Sequence, residues 1–157
     1  MQSKPFDGEG LETKKTQIVK DGELKTWFLD LATAHQLKLK STAHASRGIA
    51  SPPTPSPTNL YFEPGNISTK NLIGNIKKGV YVTELMGSSV NLINGDYSRG
   101  GSGFWIDKGE ITYPINEITI AGNLTEMFKK MSLANDLEFK QGLNSPTMLI
   151  EDMTVAG

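Results

Sequence analysis

Val80-Tyr81-Val82-Thr83-Glu84-Leu85 is followed, after a short gap, by Ser89-Val90-Asn91-Leu92-Ile93 and then by Asn94-Gly95. β-Branched and other apolar residues suited to a pleated surface recur in both runs. The stretch predicts two strands, the second ended by Asn94-Gly95. Downstream, Tyr97 to Ile106 carries a glycine cluster and then Gly103-Phe104-Trp105-Ile106, and Asp107-Lys108-Gly109 turns the chain into Glu110-Ile111-Thr112-Tyr113. Pro114 predicts an edge or a strand end, because proline has no N–H to give to a ladder. Glu117 to Ala121 predicts another short strand, and Gly122-Asn123 opens a helix from Leu124 to Met131.

Working back toward the N-terminus, Ser68 or Thr69 is placed to cap a helix to about Lys77, with Gly79 ending it. Ser41 to Gly65 is rich in Ser, Thr, Ala and Pro, and the prolines of Ser51 to Pro57 forbid helix there. That composition predicts an extended connector. It leads into Asn59 to Phe62, a strand-like run stopped by Pro64-Gly65. Asp30 is placed to cap a helix through Leu37 or Leu39, with Leu31, Ala34 and Leu37 at helical spacing. Thr16–Lys20 and Glu23–Leu29, separated by Asp21-Gly22, predict a first hairpin. In the tail, Leu137–Phe139, Thr147–Ile150 and Met153–Val155 alternate like short strands. The expectation is an α+β fold: a β-rich antiparallel sheet or barrel-like domain with two or three short helices. A single, partial domain over 1–157 is expected, with the Ser/Pro-rich connector at 41–58 inside it.

The 157 residues are 37% hydrophobic and 21% charged, with a formal net charge of -1. That balance gives no general electrostatic reason to expect nucleic acid or an anionic membrane as a partner, and no basic run is visible. There are no cysteines, which excludes disulfides, thiolate metal sites and cysteine nucleophiles. No apolar stretch is long enough to cross a bilayer, and no apolar region follows Met1 to Phe6 as in a signal peptide. The expected location is the cytoplasm.

Candidate chemistry is sparse. His35 and His44 stand nine positions apart, with a helix end expected between them, whereas a helical zinc pair needs a spacing of about three or four. Glu9 and Glu12, Asp21 and Glu23, and Glu151 and Asp152 sit near turns or ends, where solvated carboxylates are the ordinary reading. Ser98-Arg99-Gly100-Gly101-Ser102-Gly103 is the best candidate for close backbone approach to a ligand, since glycines admit it. It lacks the Gly-Lys-Ser/Thr ending of a phosphate loop, and strand residues rather than a helix follow. A bulge or corner in a curved sheet explains the same glycines. Arg47, in the small polar run Ser41 to Gly48, is a second candidate, because a guanidinium can fork onto a carboxylate. Open strand edges that take up an extended peptide are a third.

Taken in order, these blocks resemble one family. Pro5-Phe6-Asp7-Gly8-Glu9-Gly10 precedes the first hairpin. Leu39-Lys40-Ser41-Thr42, Pro55 to Tyr61 and Glu63-Pro64-Gly65 follow. Then come Gly79 to Gly87, Gly95 to Gly100, Gly103 to Ile106, Ile120 to Leu124, and Ser145 to Gly157. The series is similar to the C-terminal part of the TldD/PmbA family, on the PmbA (TldE) side, and covers nearly the whole chain. An older label for that family is "modulator of DNA gyrase". The resemblance implies a cytoplasmic zinc-dependent peptidase assembly acting on peptides or unfolded proteins. In it a TldD-type subunit carries a His-Glu-x-x-x-His helix and a cysteine ligand, and a PmbA-type subunit without metal ligands pairs with it and helps enclose the site. Neither element occurs in this sequence, so no catalytic or metal residue carries over. The expectation is a chain that is not catalytic alone and binds no cofactor, with zinc in a TldD-like partner. Arg47, Arg99, Gly100, Gly101, Ser102 and Gly103 are its candidate contacts to peptide or partner. Family members are much longer, so the chain is also expected to be one piece of a larger protein. The alternative is a stand-alone structural or peptide-binding β module with no enzymatic role.

Overall fold

Asn94-Gly95 and Lys108-Gly109 fold three long strands back on one another. The structure, a computed structural model, describes residues 2–157; Met1, which begins the N-terminal stretch read above, lies outside them. The first elements are β1 (Val19–Lys20), β2 (Glu23–Leu24), α1 (Leu31–Leu37), β3 (Ala45–Ser46), β4 (Thr54–Pro55) and β5 (Leu60–Tyr61). Next come α2 (Thr69–Gly74), β6 (Lys78–Val90), β7 (Asp96–Asp107), β8 (Glu110–Asn123), α3 (Leu124–Lys129) and β9 (Met131–Leu133). The last are β10 (Leu143–Asn144), β11 (Met148–Ile150) and β12 (Thr154–Ala156). These elements give the expected α+β class, β-rich and mainly antiparallel, with three short helices. The largest sheet is open, in the order β12-β8-β7-β6, and does not close into a barrel. Among the described residues no helix is long and apolar enough to cross a membrane.

The chain divides into two compact units. The first comprises Met1–Phe62 with Glu138–Asn144. Its hairpin β1–β2 turns at Asp21 and Gly22, whose φ values of 51° and 77° suit the primed turns that match strand twist. The ladder is only two residues long on each side, shorter than the pattern predicts. α1 starts as expected: Asp30 accepts from the Thr33 N–H at 2.7 Å, and the Thr33 hydroxyl faces the Asp30 N–H, a reciprocal cap. Glu9 adds a second acceptor there, taking the Leu31 N–H at 2.8 Å. Asp7 closes the N-terminal loop: one oxygen accepts from the N–H groups of Glu9 and Leu11, and the other from Ala45 at 3.1 Å. The Ser/Pro-rich stretch is ordered by the β3–β4 pairing, Ala45 to Pro55 and Ser46 to Thr54. β5 pairs in parallel with β10, an exception to the antiparallel pattern. Leu29, Ala34, Ala43 and Ala45 are buried in this unit.

The second unit comprises Glu63–Leu137 with Ser145–Gly157. Two predicted strands merge into the single β6, β7 follows as expected, and the strands predicted at Glu110–Tyr113 and Glu117–Ala121 merge into the single β8. Pro114 does not end β8. The strand runs through it, because β12 pairs only with Thr119, Ile120 and Ala121, so β8 is still a sheet edge where Pro114 lacks its donor. Gly79 does not end α2 either; the helix stops at Gly74 and Gly79 lies in β6. The cap is Ser68, which accepts from the Asn71 N–H at 3.2 Å. Asn123 caps α3 through the Thr125 N–H at 3.1 Å. Leu137–Phe139 forms no strand, whereas β11 pairs with β9. Ile106, Ile118, Ile120, Leu72 and Ala134 are the buried apolar residues here, and Ile106, at 1% exposure, is the largest apolar side chain that is fully buried.

Asp136 joins separate parts of this unit. It accepts from the Thr147 hydroxyl at 2.7 Å, the Thr147 N–H at 2.8 Å and the Thr69 hydroxyl at 2.8 Å. These bonds, in that order, hold its carboxyl below the usual range. Asp30 is lowered by the Thr33 hydroxyl and N–H. For Asp7, burial pushes the carboxyl up, but the Leu11, Ala45 and Glu9 N–H groups, with the charge of His44, outweigh it. A carboxyl lowered in the folded state contributes stability above its unfolded pKa of about 3.9, and that contribution is lost as pH falls through the folded value. The urea midpoint is therefore expected to hold between about pH 7 and 5 and to fall below about pH 4. Asp136→Asn should lower the midpoint at neutral pH and flatten the acid decline. A decline as steep as in the unsubstituted chain would show that Asp136 does not contribute to it.

Candidate functional site

Arg99, Gly100, Gly101, Ser102 and Gly103 lie together on β7, between β6 and β8. Both neighbours bulge around them. Val82 pairs with Gly103 and Glu84 with Ser102, so Thr83 is an extra residue in β6. Gly101 pairs with Ile118 and Gly103 with Ile115, leaving Asn116 and Glu117 opposite Ser102, with Glu117 at φ 56°. Bulges on both sides of one strand bend the sheet and raise its twist. The space beside Gly103 is taken by the main chain of Tyr81 and Val82: a Cβ there would overlap the Tyr81 carbonyl oxygen and stand 3.0 Å from Val82 Cα. Gly101 is also buried, with the Glu84 carbonyl 3.2 Å from a Cβ position.

Arg99 donates from Nη2 to the Leu85 carbonyl at 3.3 Å. Its Nε is buried and has no hydrogen-bond partner among the described residues. An orphaned buried donor is costly, of order 1–3 kcal/mol, so such atoms are uncommon in native structures. Arg47 belongs to the other unit, in the exposed loop after β3, and makes no ion pair among the described residues. Beside these, β6 is an edge strand whose outer side no strand pairs among the described residues. The β6–β7 turn holds Leu92 and Ile93 out at 85% and 98% exposure.

His35 sits in the last turn of α1. His44 packs its ring against Phe28, with centroids 5.0 Å apart, and places Nδ1 3.0 Å from the Thr42 hydroxyl. Among the described residues no group of three or more His, Cys, Asp or Glu side chains could hold a metal ion. These residues do not fit a zinc centre.

The first unit contains a groove that the sequence does not announce. About 430 Å³ in volume, it is lined by Lys14, Lys25 and Lys40 together with Trp27, Leu24 and Leu39. The three lysines come from separate segments, so no charge run marks them.

The family model described as "PmbA/TldA metallopeptidase C-terminal domain" matches residues 1–157, the whole of this open-sheet α+β chain. The chain belongs to the PmbA/TldD family. It is 41% identical over 158 residues to metalloprotease PmbA of Escherichia coli O157:H7, a match that takes in 100% of this chain and 33% of that protein. It is 27% identical over 169 residues to a metalloprotease TldD homolog of Buchnera aphidicola subsp. Schizaphis graminum, covering 97% of this chain and 35% of that protein. Among solved structures, TldE of Thermococcus kodakarensis superimposes with a TM-score of 0.86 at 27% identity, covering 98% of this chain and 36% of that one. The chain thus spans about a third of the length of the curated relatives it matches.

Proposed function

We propose that the chain is the C-terminal portion of a PmbA/TldE-type subunit. In this reading it makes no catalytic contribution of its own to a heteromeric zinc metallopeptidase that degrades peptides or unfolded proteins in the cytoplasm. The observation that carries the reading is the asymmetry of identity: 41% to a PmbA against 27% to a TldD homolog, over almost the same span. Zinc, His-Glu-x-x-x-His and the cysteine ligand belong in this reading to a TldD-like partner. Arg47, Arg99 and the Gly100 to Gly103 segment are proposed contacts, through which the chain helps to line a chamber around an extended substrate. Arg99 is held in place for such a contact by its Nη2 bond to the Leu85 carbonyl.

Co-expression of the full-length parent protein with a His-Glu-x-x-x-His subunit from the same organism tests the pairing. The expected result is co-elution on size exclusion, with zinc carried by the His-Glu-x-x-x-His subunit and peptide hydrolysis present only when both are present. Separate elution of the two would overturn it. A second reading has its own observation. The unpaired outer edge of β6 suits a stand-alone module that binds an extended peptide by adding a strand.

A further inference from the structure

We propose that the groove of the first unit binds extended acidic peptide segments. No Asp or Glu lines it, whereas Lys14, Lys25 and Lys40 do. Lys25 is partly neutralised by Glu23. Lys14 and Lys40 have no ion-pair partner among the described residues. Converging cations raise the local concentration of an anionic ligand and speed its capture.

The lining argues for a peptide. Trp27 and Leu24 are 56% and 46% exposed at the groove and offer apolar surface between the charges. Trp is suited to such sites, since its rigid body covers much area at low entropic cost. The main chain contributes as well. Thr26 and Trp27 lie just past the end of β2, where its ladder with β1 has stopped. Their N–H groups donate to no other group among the described residues. An extended main chain with free donors can take a peptide's carbonyl oxygens or its terminal carboxylate, and the lysines then select acidic side chains. The volume is within the range of sites that hold a small ligand or a few residues of peptide.

Peptide capture here does not depend on the subunit pairing proposed above, and it is measured on the 157-residue chain alone. A fluorescein-labelled oligoglutamate peptide is titrated against the chain and followed by anisotropy, beside a Gly-Ser peptide and a single-stranded oligothymidylate. Oligoglutamate is expected to bind best, with affinity falling as salt is raised. Lys14→Glu, Lys25→Glu and Lys40→Glu together should weaken binding by about tenfold or more, and the matching Gln triple by less. Trp27→Ala should weaken it without changing the salt dependence. Far-UV circular dichroism checks that each variant is folded, as expected for substitutions at the surface. Equal binding of the Gly-Ser peptide, unchanged binding by the folded Glu triple, or tighter binding of oligothymidylate would each overturn the proposal.

Discussion

Gly103→Ala is expected to prevent the central sheet of the second unit from forming in its native register. The added Cβ would overlap the Tyr81 carbonyl oxygen, stand 2.9 Å from the Tyr81 carbonyl carbon, and stand 3.0 Å from Val82 Cα. All three are main-chain atoms of the neighbouring strand, so no side chain can swing aside to relieve the clash. β6 would have to leave its ladder at the bulge, and packed interiors absorb such shifts poorly. Ordinary overpacking costs about 1–3 kcal/mol. A backbone clash at the middle of the main sheet should exceed about 4 kcal/mol, comparable to the whole stability of a small unit.

The neighbouring glycines supply a graded control. At Gly101 the nearest main-chain atom to a Cβ is 3.2 Å away, the Glu84 carbonyl, so Gly101→Ala should cost about 1 kcal/mol. At Gly100 nothing comes closer than 3.7 Å, and Gly100→Ala should be within about 0.5 kcal/mol of neutral. Urea unfolding followed by tryptophan fluorescence and circular dichroism reads the series. An order other than Gly103, Gly101, Gly100 would mean that the glycines do not hold the bulged register.

The readings that succeeded rest on short-range chemistry. Asp30, Ser68 and Asn123 cap helices because a short polar side chain reaches N–H groups two or three residues ahead, whatever the rest of the chain does. Asp21-Gly22 and Lys108-Gly109 turn because their local φ values demand it. The failures involve distant partners. Pro114 reads as either an edge or a strand end, and only the pairing of β12 beyond it decides for the edge. β5 and β10 pair in parallel although about half the chain separates them, and nothing in either dipeptide specifies the other. The site divides the same way. The glycines of β7 are legible as a bulge or a close approach. The identity of what fills the space, the Tyr81 main chain, depends on a register that the glycines themselves do not encode. Lys14, Lys25 and Lys40 converge only through the folding of three segments, so the first unit's groove has no signature in the chain.

Ile106→Ala carries the second large expectation, a loss of about 2–5 kcal/mol. Ile106 is 1% exposed and pairs with Gly79 on β6 and Ile111 on β8. Gly79 has no side chain to move into a gap, and Ile111 is exposed. The cavity left by truncation would therefore collapse only partly, which favours the upper part of that range. Ile106→Val removes one methylene and should cost about 0.5–1.5 kcal/mol. Leu92→Ser and Ile93→Ser, at the exposed β6–β7 turn, should leave the urea midpoint within about 0.5 kcal/mol of the unsubstituted chain. The contrast separates two kinds of apolar residue on one hairpin. Ile106 is held by this unit, whereas Leu92 and Ile93 contribute nothing to its core, so a loss of partner binding in the serine variants with stability intact would assign them to an interface. Equal destabilisation by Ile106→Ala and the serine variants would instead place the turn inside the folded core.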